Sequence, residues 1–300
     1  MAEKLFDEQT LRKLEQLALV ANQVRAGAIK GERRSTKRGT SIEFADYRDY
    51  SKGDDLRRVD WNVFARLERP FIKLLEEEED LAVHLLVDAS ASMDWPRVSD
   101  APRHLHKFTF ALRLLAGLAY ISLTGGDQLT VSTLNSHPVQ AWGPARGRGR
   151  VLELLGVMED FRPGGVTALN SALRGYALRS RRPGLCLIIS DLFSPEGFQD
   201  GLVALQARGH EVALVHVLSP DEVNPPLAGD LRLVDVETAA GQDVTVDATM
   251  RDLYQRRLLA WRDDIGRYCR SRGVHYVTVE TAIPWEEVIL YQLRQVGVVR

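Results

Sequence analysis

The sequence predicts an α/β protein: a doubly wound, mostly parallel sheet with helices on both faces, preceded by an N-terminal helix and a small β-rich extension. Three observations carry this. From residue 81 onward short apolar runs alternate with helical patterns, as in parallel sheets covered by crossover helices. Between residues 25 and 73 the hydrophobic period is two rather than 3.6, which fits strands. The length of 300 residues allows about two domains, and the change of pattern divides them into 1–80 and 81–300.

Taken in order, residues 7–25 read as a helix, with Asp7 as N-cap and Phe6 placed to staple against Leu11. In the extension, Ile42 and Phe44 alternate with polar residues, and so do Val59, Trp61, Val63, Ala65 and Leu67. Strands around the Gly53-Asp54-Asp55 turn follow, with Trp61 facing inward. Past residue 80, strands are expected near 83–87, 129–134, 185–190, 212–217 and 274–279. Pro102 suits a first helical turn, after which Leu105, Phe108, Leu112, Leu115 and Leu118 fall on one stripe. Residues 249–272 repeat that pattern with Leu258, Trp261, Ile265 and Cys269 inward, and the alternation over 231–246 predicts a hairpin before them.

Composition narrows the function classes. With 45% hydrophobic and 27% charged residues, disorder is excluded, and a chain this long buries roughly 75% of its unfolded surface without disulfides or a structural metal. Cys186 and Cys269 lack CxxC spacing, which points to a reducing, cytoplasmic setting. The longest apolar stretch, 114–123, is shorter than the ~20 residues of a membrane helix, and the amino terminus has no signal-peptide core. No membrane span is expected. The formal charge of −2 gives no global attraction to nucleic acid. One zone is basic: residues 25–73 hold 13 Lys and Arg against 8 Asp and Glu.

Chemistry concentrates where the first buried strand ends, at Val87-Asp88-Ala89-Ser90-Ala91-Ser92. In open α/β sheets ligands bind beyond the carboxyl ends of strands. A carboxylate and two hydroxyls at i, i+2 and i+4 can converge on one hard cation if the loop curls. A glycine-rich turn presents Thr167, and a second buried strand ends in Asp191. The competing reading is helix N-capping by Asp88 and its serines.

These residues resemble the metal-ion-dependent adhesion site of the von Willebrand factor A fold, D-x-S-x-S plus a threonine and an aspartate from later loops. The resemblance implies Asp88, Ser90, Ser92, Thr167 and Asp191 as ligands of Mg²⁺ or Mn²⁺. Ala91 and Leu192-Phe193 stand where that pattern often has glycine. Upstream, Arg33-Arg34-Ser-Thr-Lys-Arg-Gly39, Tyr47-Arg-Asp-Tyr50 and Gly53-Asp-Asp-Leu-Arg57-Arg58-Val-Asp60-Trp61 are similar to the signature of the bacterial family called domain of unknown function fifty-eight. That resemblance implies a von Willebrand A-like domain joined to a β-rich segment, acting as an adaptor or chaperone-like partner of a MoxR-type AAA+ ATPase. Many relatives carry two amino-terminal membrane helices that this sequence lacks.

Mg²⁺ takes six oxygen ligands and keeps several waters, so two carboxylates and three hydroxyls leave room for an acidic side chain from a client. Binding rather than turnover is the expectation, and no P-loop motif is present. A metal-dependent phosphohydrolase using the same loops is the alternative, although no histidine falls in them. Two readings fit the basic zone: a solvated face whose Arg and Asp residues pair, or an ATPase docking surface centred on Asp54, Asp55, Arg57, Arg58 and Arg66. Nucleic-acid binding there comes third.

Overall fold

The elements of the computed structural model run in the order α1 (Glu8–Leu14), β1 (Ile42–Asp49), α2 (Trp61–Leu67), β2 (Phe71–Glu77), β3 (Ala82–Asp88), α3 (Lys107–Thr124), β4 (Gln128–Leu134), β5 (Ala141–Ala145), α4 (Val151–Met158), α5 (Leu169–Arg179), β6 (Leu185–Ser190), α6 (Gln199–Ala207), β7 (Glu211–Leu218), α7 (Pro220–Val223), β8 (Gly229–Val234), β9 (Gly241–Val246), α8 (Ala248–Ser271), β10 (His275–Glu280) and α9 (Trp285–Glu287). The structure describes residues 8–21, 42–51, 59–77, 81–96, 102–134, 139–166, 168–235 and 240–300. Two compact units emerge: Met1–Ala28 with Leu81–Arg300, and Ile29–Asp80.

In the larger unit six strands pair in the order β10-β7-β6-β3-β4-β5. All neighbours are parallel except β4 and β5. All five strands expected beyond residue 80 are present, within one or two residues at their ends, because runs such as Leu185–Ser190 are buried along their whole length. The edge strand β5 was not anticipated. Its five residues include Gly143 and Pro144, which carry no strand signal.

Alternate residues of β3 serve opposite layers. Val83, Leu85 and Val87 join a core with α3, α4, Leu14, Leu19 and the C-terminal segment, whereas Leu86 joins one with α5, α6 and α8. This division follows from the period of two along a strand. Close approach is required at Gly184, just before β6, where a Cβ would lie 1.9 Å from the Ala82 carbonyl oxygen. The strand β8 pairs with β9 as the expected hairpin.

Three expectations are corrected. The first helix is short, ending at Leu14, and Leu19 then forms an antiparallel bridge with Val299; these residues belong with the larger unit rather than with the extension. The apolar stripe after Pro102 starts its α-helix at Lys107, with His106 as the cap that accepts the Thr109 N–H. Finally, residues 61–67 form a helix, not a strand. Asp60 Oδ1 accepts the N–H groups of Asn62 (2.9 Å) and Val63 (3.3 Å), so an N-cap decides the backbone where the alternation suggested a sheet.

The smaller unit pairs β1 with β2 antiparallel, with an irregularity between Phe44 and Asp46. Its helix α2 has no buried residue, and Trp61 is 59% exposed, opposite to its expected inward orientation.

Candidate metal centre

The chain runs from β3 outward to β4 and β5, then returns to place β6 on the other side of β3. This reversal creates a topological switch point, where loops leaving adjacent strands diverge and open a crevice. Asp88 ends β3 and Asp191 immediately follows β6, so both carboxylates stand at that switch point. Both are fully buried, as is Ser90, and Ser92 is nearly so.

The first loop curls as the i, i+2, i+4 spacing requires. Asp88 Oδ1 accepts the Ser90 N–H at 3.0 Å, and the Ser90 and Ser92 hydroxyl oxygens lie 2.9 Å apart. Ser90 caps no helical amide with its side chain, so that part of the N-cap reading does not hold. The glycine-rich turn lies against this loop: the Gly164 N–H donates to the Ala89 carbonyl at 2.8 Å and the Ala91 N–H to the Gly165 carbonyl at 3.0 Å. Thr167 itself lies outside the described residues.

Further residues complete the surroundings. The Ser190 hydroxyl donates to Asp88 Oδ2 at 2.6 Å and accepts the Leu192 N–H at 2.9 Å. Lys107, wholly buried at the start of α3, donates from Nζ to Asp191 Oδ2 and to Glu222 Oε1, each at 2.6 Å. The Phe193 N–H donates to Asp191 Oδ1 at 3.1 Å, and Lys107 Nζ sits 5.1 Å from the Phe193 ring centre. Behind them His216, buried on β7, meets the Tyr276 hydroxyl through Nδ1 at 2.8 Å and packs edge-on against Trp261.

Electrostatics reflects the crowding. Burial, then the Asp191 charge, pushes the Asp88 carboxyl up to about 7 despite hydrogen bonds from Ser190 and Ser90. Burial alone would lower the Lys107 ammonium, but the charges and hydrogen bonds of Asp191 and Glu222 outweigh it and raise its pKa. Burial likewise raises Glu222 against the pull of Lys107, and it lowers His216 to about 3, so this imidazole is neutral. Leu192 holds φ at 60°, the conformation glycine adopts freely and a branched side chain does not. The departure from the glycine pattern seen in the sequence is therefore met by backbone strain.

Lys107, Ser190, His216 and Glu222 escaped the sequence reading. A lysine opening a largely apolar helix was the available signal for Lys107, whereas Glu222 is brought in only by the fold. Among the described residues no group of three or more His, Cys, Asp or Glu side chains is gathered to hold a metal. The donor set here is two carboxylates with hydroxyls, all hard oxygens, and that chemistry suits Mg²⁺ or Mn²⁺.

Of the residues expected to form a docking surface, Arg66 is exposed on α2 beside Trp61 and Leu67, each 59% exposed. Asp54, Asp55, Arg57 and Arg58 lie outside the described residues. Among the described residues one helix, α3, is long and apolar enough to cross a membrane by length and composition. In this fold 78% of that span is buried, as expected of a core helix.

Fold and site together define a mixed α/β protein whose mostly parallel sheet carries a cluster of carboxylates and hydroxyls at its switch point. The chain belongs to the family described as protein of unknown function DUF58, whose model matches residues 46–264. An uncharacterized protein of Mycobacterium tuberculosis is 30% identical over 283 residues, 93% of this chain and 87% of that protein. One from Mycobacterium avium is 38% identical over 117 residues, 39% of this chain and 69% of its own. Among solved structures, the hypothetical protein BatB of Bacteroides thetaiotaomicron aligns with 16% identity and a TM-score of 0.39, over 72% of this chain and 98% of its own. An aerotolerance-related membrane protein of Bacteroides fragilis aligns with 15% identity and a TM-score of 0.42, over 72% and 99%.

Proposed function

We propose that this chain is a non-enzymatic, divalent-metal-dependent protein–protein interaction module, von Willebrand A-like in fold and cytoplasmic in setting. Asp88, Ser90, Ser92, Thr167 and Asp191 hold Mg²⁺ or Mn²⁺, and a client's acidic side chain completes the coordination. The observation that carries this reading is the pair of fully buried carboxylates, Asp88 and Asp191, delivered by adjacent strands to the switch point beside two linked serine hydroxyls. Burying two like charges together is costly, and of the two carboxylates it is Asp191 that the Lys107 ammonium pairs with. A divalent cation removes that cost, and its hydration would leave a site for an incoming carboxylate.

The partner proposed is a MoxR-type AAA+ ATPase, served as an adaptor or chaperone-like factor. Its support is the sequence resemblance over residues 33–61, together with the exposed Trp61, Arg66 and Leu67 of α2 as a docking face. Titration calorimetry with Mg²⁺ and Mn²⁺, then capture of the ATPase with and without EDTA, tests both parts. Binding lost in Asp88→Ala is expected, and capture should be lost with EDTA and in Asp191→Ala. Capture that survives both would remove the metal as the bridge, and turnover of generic phosphoesters would favour a phosphohydrolase instead.

A further inference from the structure

We propose that Lys107 is a tethered counter-ion that competes with the divalent cation for Asp191, and that Glu222 sets the strength of this competition. The inference rests on the metal reading above and concerns how that site is regulated. Lys107 is wholly buried, and its ammonium is held 2.6 Å from Asp191 Oδ2 and 2.6 Å from Glu222 Oε1. Asp191 Oδ1 is already engaged by the Phe193 N–H at 3.1 Å. A divalent ion at Asp191 therefore meets a carboxylate with a partner on each oxygen and a positive charge across it.

Glu222 gives the ammonium somewhere else to go. Its other oxygen, Oε2, accepts the Ser219 N–H at 2.8 Å, and the Ser219 hydroxyl in turn accepts the Glu222 N–H. This capping box fixes Glu222 independently of Asp191. When the divalent ion arrives, Lys107 can keep Glu222 while its hold on Asp191 loosens. The charges also match: ionised, Asp88, Asp191 and Glu222 carry three negative charges and Lys107 one positive charge. The remaining two are those a divalent cation cancels, in a region where charges are poorly screened.

The test is calorimetric affinity for Mg²⁺ and Mn²⁺ in the full chain and in Lys107→Met, Lys107→Gln and Glu222→Gln, with circular dichroism as the check of fold. Removing the ammonium should tighten binding by about tenfold or more, and Glu222→Gln should weaken it by about threefold or more because the lysine then turns wholly to Asp191. Metal binding that depends on Asp88 but is unchanged or weaker in folded Lys107 variants overturns the competition and leaves the metal reading intact. Should neither Lys107 variant fold, Glu222→Gln decides: weaker binding supports the proposal and unchanged or tighter binding overturns it. No binding in the wild type but binding in a Lys107 variant supports it. No binding in any of the four proteins overturns both.

Discussion

Replacing Asp88 by Asn should stabilise the metal-free protein at alkaline pH and do nothing of the kind at acid pH. Folding carries the Asp88 carboxyl from its ordinary value of 3.8 to about 7. A carboxyl raised on folding contributes stability below its unfolded pKa, and that contribution is lost as pH rises through the folded value. One pKa unit corresponds to about 1.4 kcal/mol. Two of the three units of this rise fall between pH 5 and pH 7, so the wild type should lose roughly 3 kcal/mol from this group between pH 5 and pH 8. Asn cannot ionise and keeps an oxygen for the Ser90 N–H, but its amide must donate to the Ser190 hydroxyl that donates to Asp88 in the wild type, at a cost of about 1 kcal/mol. Chemical denaturation in EDTA at pH 5, 6, 7 and 8 reads the difference directly, because other titrating groups are common to both proteins. The Asn variant should be the less stable at pH 5 and should gain on the wild type with each step upward. A stability difference independent of pH would refute the burial of an uncompensated carboxylate at this position.

Two packing predictions follow from backbone geometry. At most positions Gly is less stable than Ala, but Leu192 at φ 60° should invert that order: Leu192→Ala is expected to be less stable than Leu192→Gly by about 1 kcal/mol, measured by urea denaturation. A Cβ at Gly184 would collide with the Ala82 carbonyl oxygen, which forces β3 and β6 apart. Gly184→Ala should therefore cost about 3 kcal/mol, visible as a thermal midpoint lowered by roughly 6 °C. An unchanged midpoint would show that the strands give way without loss.

The positions of the parallel strands were legible because strands sealed on both faces read as unbroken apolar runs, and the long helix Ala248–Ser271 because Leu258, Trp261, Ile265 and Cys269 recur at helical spacing from its middle onward. In the short helix Trp61–Leu67, hydrophobic alternation and the Asp60 cap gave opposite answers, and local hydrogen bonding prevailed. The sequence by itself determined which residues carry oxygen at the ends of β3 and β6, since spacing along a strand and its loop is a local matter. Only the tertiary structure decided that these two strands are neighbours at the switch point. The fold likewise brought Lys107 and Glu222, 115 residues apart, to the same carboxylate neighbourhood. Contacts across such separations depend on how helices pack over the sheet, and no periodicity along the chain encodes them.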